Sequence, residues 1–102
     1  MSAYPDASSQ SAKLFERAKR VFPDGSTRRT VTFDPYPLYA VSGRGCMVTD
    51  VDGVERIDYI NNYSSMIHGH SHPKIVAALT QQAGTLIAVG MPTESDVALA
   101  EV

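Results

Sequence analysis

The stretch MVTDVDGVERIDYI, residues 47 to 60, constrains the fold of this chain more than any other. Asp52-Gly53 separates two runs rich in Val, Ile and Tyr, and Asp-Gly between such runs is a strong hairpin signal. A type I′ turn needs positive φ at both central residues, which Asp tolerates and Gly prefers. Upstream, LYAVSGRG adds a third extended run that closes on Gly43 to Gly45. Residues 38–60 therefore predict a small antiparallel β-meander, with Cys46 read as a small apolar strand residue.

Helical patterns flank the meander. Between Ser11 and Phe22, the residues Leu14, Phe15, Ala18, Val21 and Phe22 recur at spacings of three and four, which predicts an amphipathic helix stopped by Pro23 and Gly25. Downstream, Pro73 opens PKIVAALTQQAG, with Ile75, Val76, Leu79 and Ala83 on one face and Gly84 as its stop. Thr93 stands three residues before Asp96, the form of a capping box ahead of Val97, Leu99 and Val102. That last helix has no stop signal, so the sequence is expected to be a fragment of a longer one. The polar opening, residues 1–10, is expected to fray.

At 102 residues the chain has the size of one ordinary domain or a piece of a larger one. Its 43% hydrophobic and 20% charged content argues against wholesale disorder. A formal charge of -2 gives no electrostatic footprint for nucleic acid or an anionic membrane, so neither partner is expected. No apolar run approaches the ~20 residues that span a bilayer, and the first thirty residues hold no apolar signal core. The single cysteine fits a reducing compartment, and a cytoplasmic location is expected.

Two places carry candidate chemistry. His68, His70 and His72 alternate within MIHGHSHPK, and imidazole is a common metal ligand. Alternate residues share a face only in a continuous strand, however, and Gly69 and Pro73 argue for a bend. With no Asp, Glu or Cys in the segment to complete a shell, structural or hydrogen-bonding histidines are favoured over a metal site. The second place is DGSTRRT, where Arg28 and Arg29 read either as solvated surface cations or as an anion-binding pair.

Four runs, LFERAKRVFPDGSTR, GRGCMVTDVDGVERIDYI, GHSHPKIVAAL and MPTESDVALAE, stand in an order and at separations that resemble the N-terminal part of the class III aminotransferases of pyridoxal-phosphate (PLP) fold type I. The likeness is greatest to the glutamate-1-semialdehyde aminomutase and β-amino-acid aminotransferase branch. It implies an α/β fold, α+β in this piece: a small-domain segment over 11–70 with a helix and the meander, then the start of the PLP-binding large domain over 71–102. It also implies a homodimeric full-length enzyme, an amino-acid-type small-molecule substrate and PLP as cofactor.

By the same resemblance, Gly69 to Pro73 is a passage between domains, with His70 and His72 as turn and packing residues. Tyr63 matches a position where the family places an aromatic residue beside the substrate; ordinary packing is its bland alternative. PDGSTR is similar to the PGGNTR-type loop whose arginine receives the substrate carboxylate, which nominates Arg28. Asp24 replaces a glycine of that run and Arg29 adds a second arginine, so the register is open by one residue. Lys13, Lys19 and Lys74 do not match the Schiff-base position, so no catalytic residue and no metal ligand is assigned in the segment. The chain alone is expected to be inactive. A non-catalytic interaction piece and a small histidine-based metal module are the remaining alternatives.

Overall fold

The computed structural model describes residues 4–102, which fall into two compact units, one ending at His72 and the other running from Pro73 to Val102. In the first, α1 (Gln10–Ala18) precedes a sheet of β1 (Ala40–Arg44), β2 (Met47–Asp50) and β3 (Glu55–Ile57), in the order β1-β2-β3 with antiparallel neighbours. This is the expected meander. One further turn, α2 (Asn61–Ser64), follows it.

The β2–β3 connection differs from the type I′ turn that Asp52-Gly53 predicts. Gly53 has φ +80, but Asp52 is not among the residues with positive φ. The Asp50 N–H donates to the Val54 carbonyl at 3.0 Å and the Gly53 N–H to the Asp50 carbonyl at 2.9 Å, which leaves a three-residue loop ending on a left-handed glycine. The reason is Asp50. One oxygen of its carboxylate accepts the N–H groups of Asp52 (3.0 Å) and Val54 (2.9 Å), and the other accepts Arg56 Nε (3.2 Å) and Nη2 (3.0 Å). A buried acceptor inside the loop outweighs the dipeptide preference. Cys46 is also not a strand residue: it lies exposed in the two-residue turn between Arg44 and Met47.

Asp52 serves the helix instead. Its carboxylate accepts the N–H groups of Gln10 at 2.7 Å and Ser11 at 3.2 Å, and the Ser9 hydroxyl accepts that of Ala12 at 3.1 Å. These are first-turn donors that no intrahelical carbonyl can satisfy, placed where a negative charge also meets the positive end of the helix dipole. Ser11 is fully buried, and its hydroxyl accepts the Tyr39 N–H at 3.3 Å. The helix thus docks through its start. Ser11 and Ala12 are its buried residues, while Val21 and Phe22, expected on a covered face, lie outside it and are exposed. It ends at Ala18 because Phe22 precedes Pro23 and is extended (φ -120, ψ 139), so the chain unwinds over Lys19 to Val21.

Of the opening expected to fray, residues 1–3 lie outside the described residues. Tyr4 donates its hydroxyl to the Tyr36 carbonyl at 2.6 Å, and the buried Tyr36 hydroxyl donates to the Asp6 carbonyl at 2.8 Å.

In the second unit, α3 (Pro73–Ala83) starts and stops where Pro73 and Gly84 predict, whereas α4 (Glu94–Ala100) starts at the predicted capping box but ends before Val102, without a stop signal in the sequence. The Thr93 N–H and hydroxyl both donate to the Asp96 carboxylate, at 2.8 and 3.0 Å. Ile75, Val76 and Leu79 of α3 and Val97 and Leu99 of α4 are exposed. Among the described residues, no helix is long and apolar enough to cross a membrane.

Candidate functional site

Immediately after β3 the chain does something L-residues avoid. Asn61, Asn62, Tyr63 and Ser64 all have positive φ, at 50, 47, 57 and 66, so α2 is a left-handed turn. Left-handed backbone brings Cβ against the following carbonyl at a cost of roughly 1–2 kcal/mol per residue, less for Asn. Such a run persists only where its surroundings over-determine it, and strain of this kind gathers at binding and catalytic sites.

Three sets of contacts hold it. Before the turn, one oxygen of Asp58 accepts the N–H groups of Ile60 and Asn61, both at 2.9 Å. Within it, the Asn62 amide donates to the Ser65 hydroxyl at 2.9 Å, and that hydroxyl donates to the Asn62 carbonyl at 2.8 Å. At its tip, the Tyr63 hydroxyl donates to the Thr30 carbonyl at 2.7 Å. The second Asp58 oxygen lies 2.7 Å from His70 Nε2. The Asn61 N–H, then the His70 hydrogen bond, hold the Asp58 carboxyl below its ordinary range, against the opposing effect of burial.

His70 is fixed from its other side as well. Its backbone pairs with Gly45 through two hydrogen bonds, N–H to carbonyl in each direction, at 2.8 and 2.9 Å. A Cβ on Gly43 would stand 2.8 Å from His70 Cγ, so only glycine leaves room for the ring. The histidines do not act together: His70 faces Asp58, while the rings of His68 and His72 lie 5.5 Å apart at a 56° tilt. Among the described residues, no group of three or more His, Cys, Asp or Glu side chains has the placement to hold a metal ion.

The arginine loop lies across the Tyr63 contact. Pro23–Gly25 and Arg29–Val31 are short 3₁₀ turns, and between them the Ser26 hydroxyl accepts the Arg28 N–H at 3.3 Å and donates to the Arg28 carbonyl at 2.9 Å. Arg28 and Arg29 are both exposed. Asp24, the residue that departs from the glycine-bearing loop it resembles, has φ 55 and ψ 18, a conformation glycine enters freely. The structure therefore brings the two nominated segments together: Tyr63 is bonded to the residue two beyond Arg28.

Sequence reasoning missed Asp58 and the left-handed turn. The signals were an aspartate two residues before a backbone donor and the Asn61-Asn62 pair, since Asx side chains cap nearby N–H groups and Asn tolerates positive φ.

The chain's three lysines all stand on or beside helices. Lys19, just past the end of α1, pairs its Nζ with Glu16 Oε1 at 2.6 Å, Lys13 is exposed on α1, and Lys74 is exposed in the first turn of α3.

Comparison with known proteins gives the family. The family model for class III aminotransferases matches residues 30–101, and the chain belongs to that family. The glutamate-1-semialdehyde 2,1-aminomutase of Methanothermobacter thermautotrophicus is 41% identical over 92 residues, 90% of this chain and 22% of that protein. Among solved structures, an omega-transaminase from Sphaerobacter thermophilus superimposes with a TM-score of 0.93 at 50% identity, over 99% of this chain and 23% of that one. A β-phenylalanine aminotransferase from Variovorax paradoxus gives a TM-score of 0.73 at 30% identity, over 81% of this chain and 20% of that one. The helices and three-stranded sheet are thus a portion of the transaminase fold, and the chain spans about a fifth of the length of these relatives.

Proposed function

We propose that this chain is the N-terminal part of a PLP-dependent aminotransferase or aminomutase acting on an amino-acid-type substrate. The supporting observation is the Tyr63 hydroxyl bonded to the Thr30 carbonyl at 2.7 Å, which ties the aromatic candidate to the loop of the arginine candidate within a family that transfers amino groups. In this reading, the Arg28 guanidinium takes the substrate carboxylate through a planar two-bond fork, and the Tyr63 ring borders the substrate side chain. Residues 11–70 are small-domain scaffold and 71–102 open the cofactor domain. PLP, bound elsewhere in the full-length enzyme, supplies the electron sink for chemistry at the amino carbon. The enzyme is a cytoplasmic homodimer, and these 102 residues alone do not turn over substrate.

The test is made in a full-length enzyme carrying this sequence. Arg28→Ala removes a charge-assisted pair worth roughly 1.5 to 3 kcal/mol, about ten- to a hundredfold in apparent substrate affinity, and leaves PLP absorbance unchanged. Arg28→Lys rescues in part, and Arg29→Ala has a much smaller effect. Intact kinetics in Arg28→Ala reject the assignment, and the same loss in Arg29→Ala instead moves it by one residue.

A further inference from the structure

We propose that Asp58 is a positioning residue for substrate recognition, setting the place of the Tyr63 ring through the left-handed turn it caps. The inference rests on the reading that Tyr63 borders the substrate. Four consecutive non-glycine residues at positive φ do not hold themselves. Among the described residues, Asp58 is the one side chain that binds the start of this turn and a residue well beyond it in sequence. Its first oxygen accepts the Ile60 and Asn61 N–H groups, both at 2.9 Å. Its second meets His70 Nε2 at 2.7 Å. His70 is in turn fixed to the sheet by its paired backbone bonds to Gly45. The sheet thereby dictates where the turn begins, the turn dictates where Tyr63 leaves the backbone, and the Tyr63–Thr30 bond joins the result to the arginine loop.

Released from Asp58, Ile60 and Asn61 lose their acceptor, and the turn relaxes toward ordinary negative φ. A residue that goes from left- to right-handed backbone redirects its side chain, so the Tyr63 ring no longer presents the same face. Asp58 touches neither Tyr63 nor substrate in this scheme. Its effect falls on binding of donors whose side chain reaches the ring.

The experiment uses the PLP-loaded full-length enzyme carrying this sequence, with two readouts: hydrogen exchange by mass spectrometry over residues 60–65, and amino-donor kinetics with one bulky and one small side chain. Asp58→Ala is expected to speed exchange in that segment about tenfold or more and to raise KM for the bulky donor about tenfold, with kcat and PLP absorbance nearly unchanged. Asp58→Asn keeps a carbonyl oxygen for the Ile60 and Asn61 N–H groups and is expected to restore most of both. Unchanged exchange in Asp58→Ala overturns the proposal whatever the kinetics. Faster exchange with unchanged KM overturns the link to recognition, and Tyr63→Ala then locates the fault: if Tyr63→Ala also leaves KM intact, the reading of Tyr63 fails, and if it raises KM, only the role of Asp58 does. Should Asp58→Ala not yield loaded enzyme, Asn62→Ala, which loosens the same turn from within, is read in its place with the same expected and overturning results.

Discussion

Replacing Asp50 by Ala tests whether the β2–β3 hairpin is held by a side chain or by strand pairing. Asp50 is almost completely buried, with 5% of its side chain exposed, whereas 35% of Arg56 is exposed. Removing one partner of a fully buried pair costs roughly 3–5 kcal/mol because the other charge is left without compensation. Here water reaches Arg56, so that penalty is reduced, but the Asp52 and Val54 N–H groups also lose their acceptor. A net cost of about 2–4 kcal/mol follows. In native-state hydrogen exchange this corresponds to about a thirtyfold to thousandfold loss of protection for the amides of Val48 and Arg56, the facing pair that antiparallel alternation sets between the Asp50–Val54 and Asp58–Cys46 hydrogen bonds. Arg56→Ala should cost less, because the carboxylate keeps its two backbone donors. If both variants change protection by less than about twofold, strand pairing alone sustains the hairpin and the reasoning from burial is wrong.

Acid should act through the same kind of contact. Backbone and side-chain donors hold Asp6, Asp52, Asp58 and Asp96 below the ordinary carboxylate value of 3.8. Between the lowered folded value and 3.8 the unfolded chain binds more protons, so this stability is present above 3.8 and is lost as pH falls through the folded values. Far-ultraviolet circular dichroism across that interval should show loss of structure, and Asp52→Asn should flatten the response. Zinc tests the histidine alternative: with Nε2 of His70 beside Asp58, native mass spectrometry of the chain with equimolar zinc should show no specific adduct, and stoichiometric binding that His70→Ala abolishes would restore the metal reading.

Elements defined by local chemistry were legible. The meander follows from Asp-Gly and β-branched runs, and α3 and α4 follow from Pro73, Gly84 and the Thr93–Asp96 pair, all signals that act within a few residues. Features decided by distant partners were not. The apolar pattern through Phe22 is genuine, but Ser11 governs how α1 docks because its hydroxyl meets the Tyr39 N–H, 28 residues away. The turn at Asp52 lost its predicted type because Asp50 holds the loop from inside while the Asp52 carboxylate faces a helix 41 residues upstream in sequence. At the candidate site, residue type was enough to nominate Arg28 and Tyr63. Their bridge is a tyrosine hydroxyl on a backbone carbonyl, which no side-chain pattern encodes.

Asp50, Asp52 and Asp58 pass in the composition as three of eleven acidic residues, yet each does one chemical task. Each accepts two backbone N–H groups where a regular ladder has stopped: Asp52 and Val54, Gln10 and Ser11, Ile60 and Asn61. Orphan donors of this kind need an oxygen acceptor before they need a charge. The consequence separates this role from that of solvated surface charge. If the three carboxylates only balanced net charge, Ala and Asn would be equivalent at each position, since both remove one negative unit. If they satisfy backbone donors, Asn retains a carbonyl oxygen with nearly the same reach, and Ala leaves both donors without the acceptor. Exchange of the six named amides should therefore rank Ala well above Asn at all three positions, with the smallest rescue at Asp50, where an amide cannot reproduce the Arg56 pair. Equal acceleration by Ala and Asn at Asp52 or Asp58 would mean that charge, and not the acceptor oxygen, anchors the helix start and the left-handed turn.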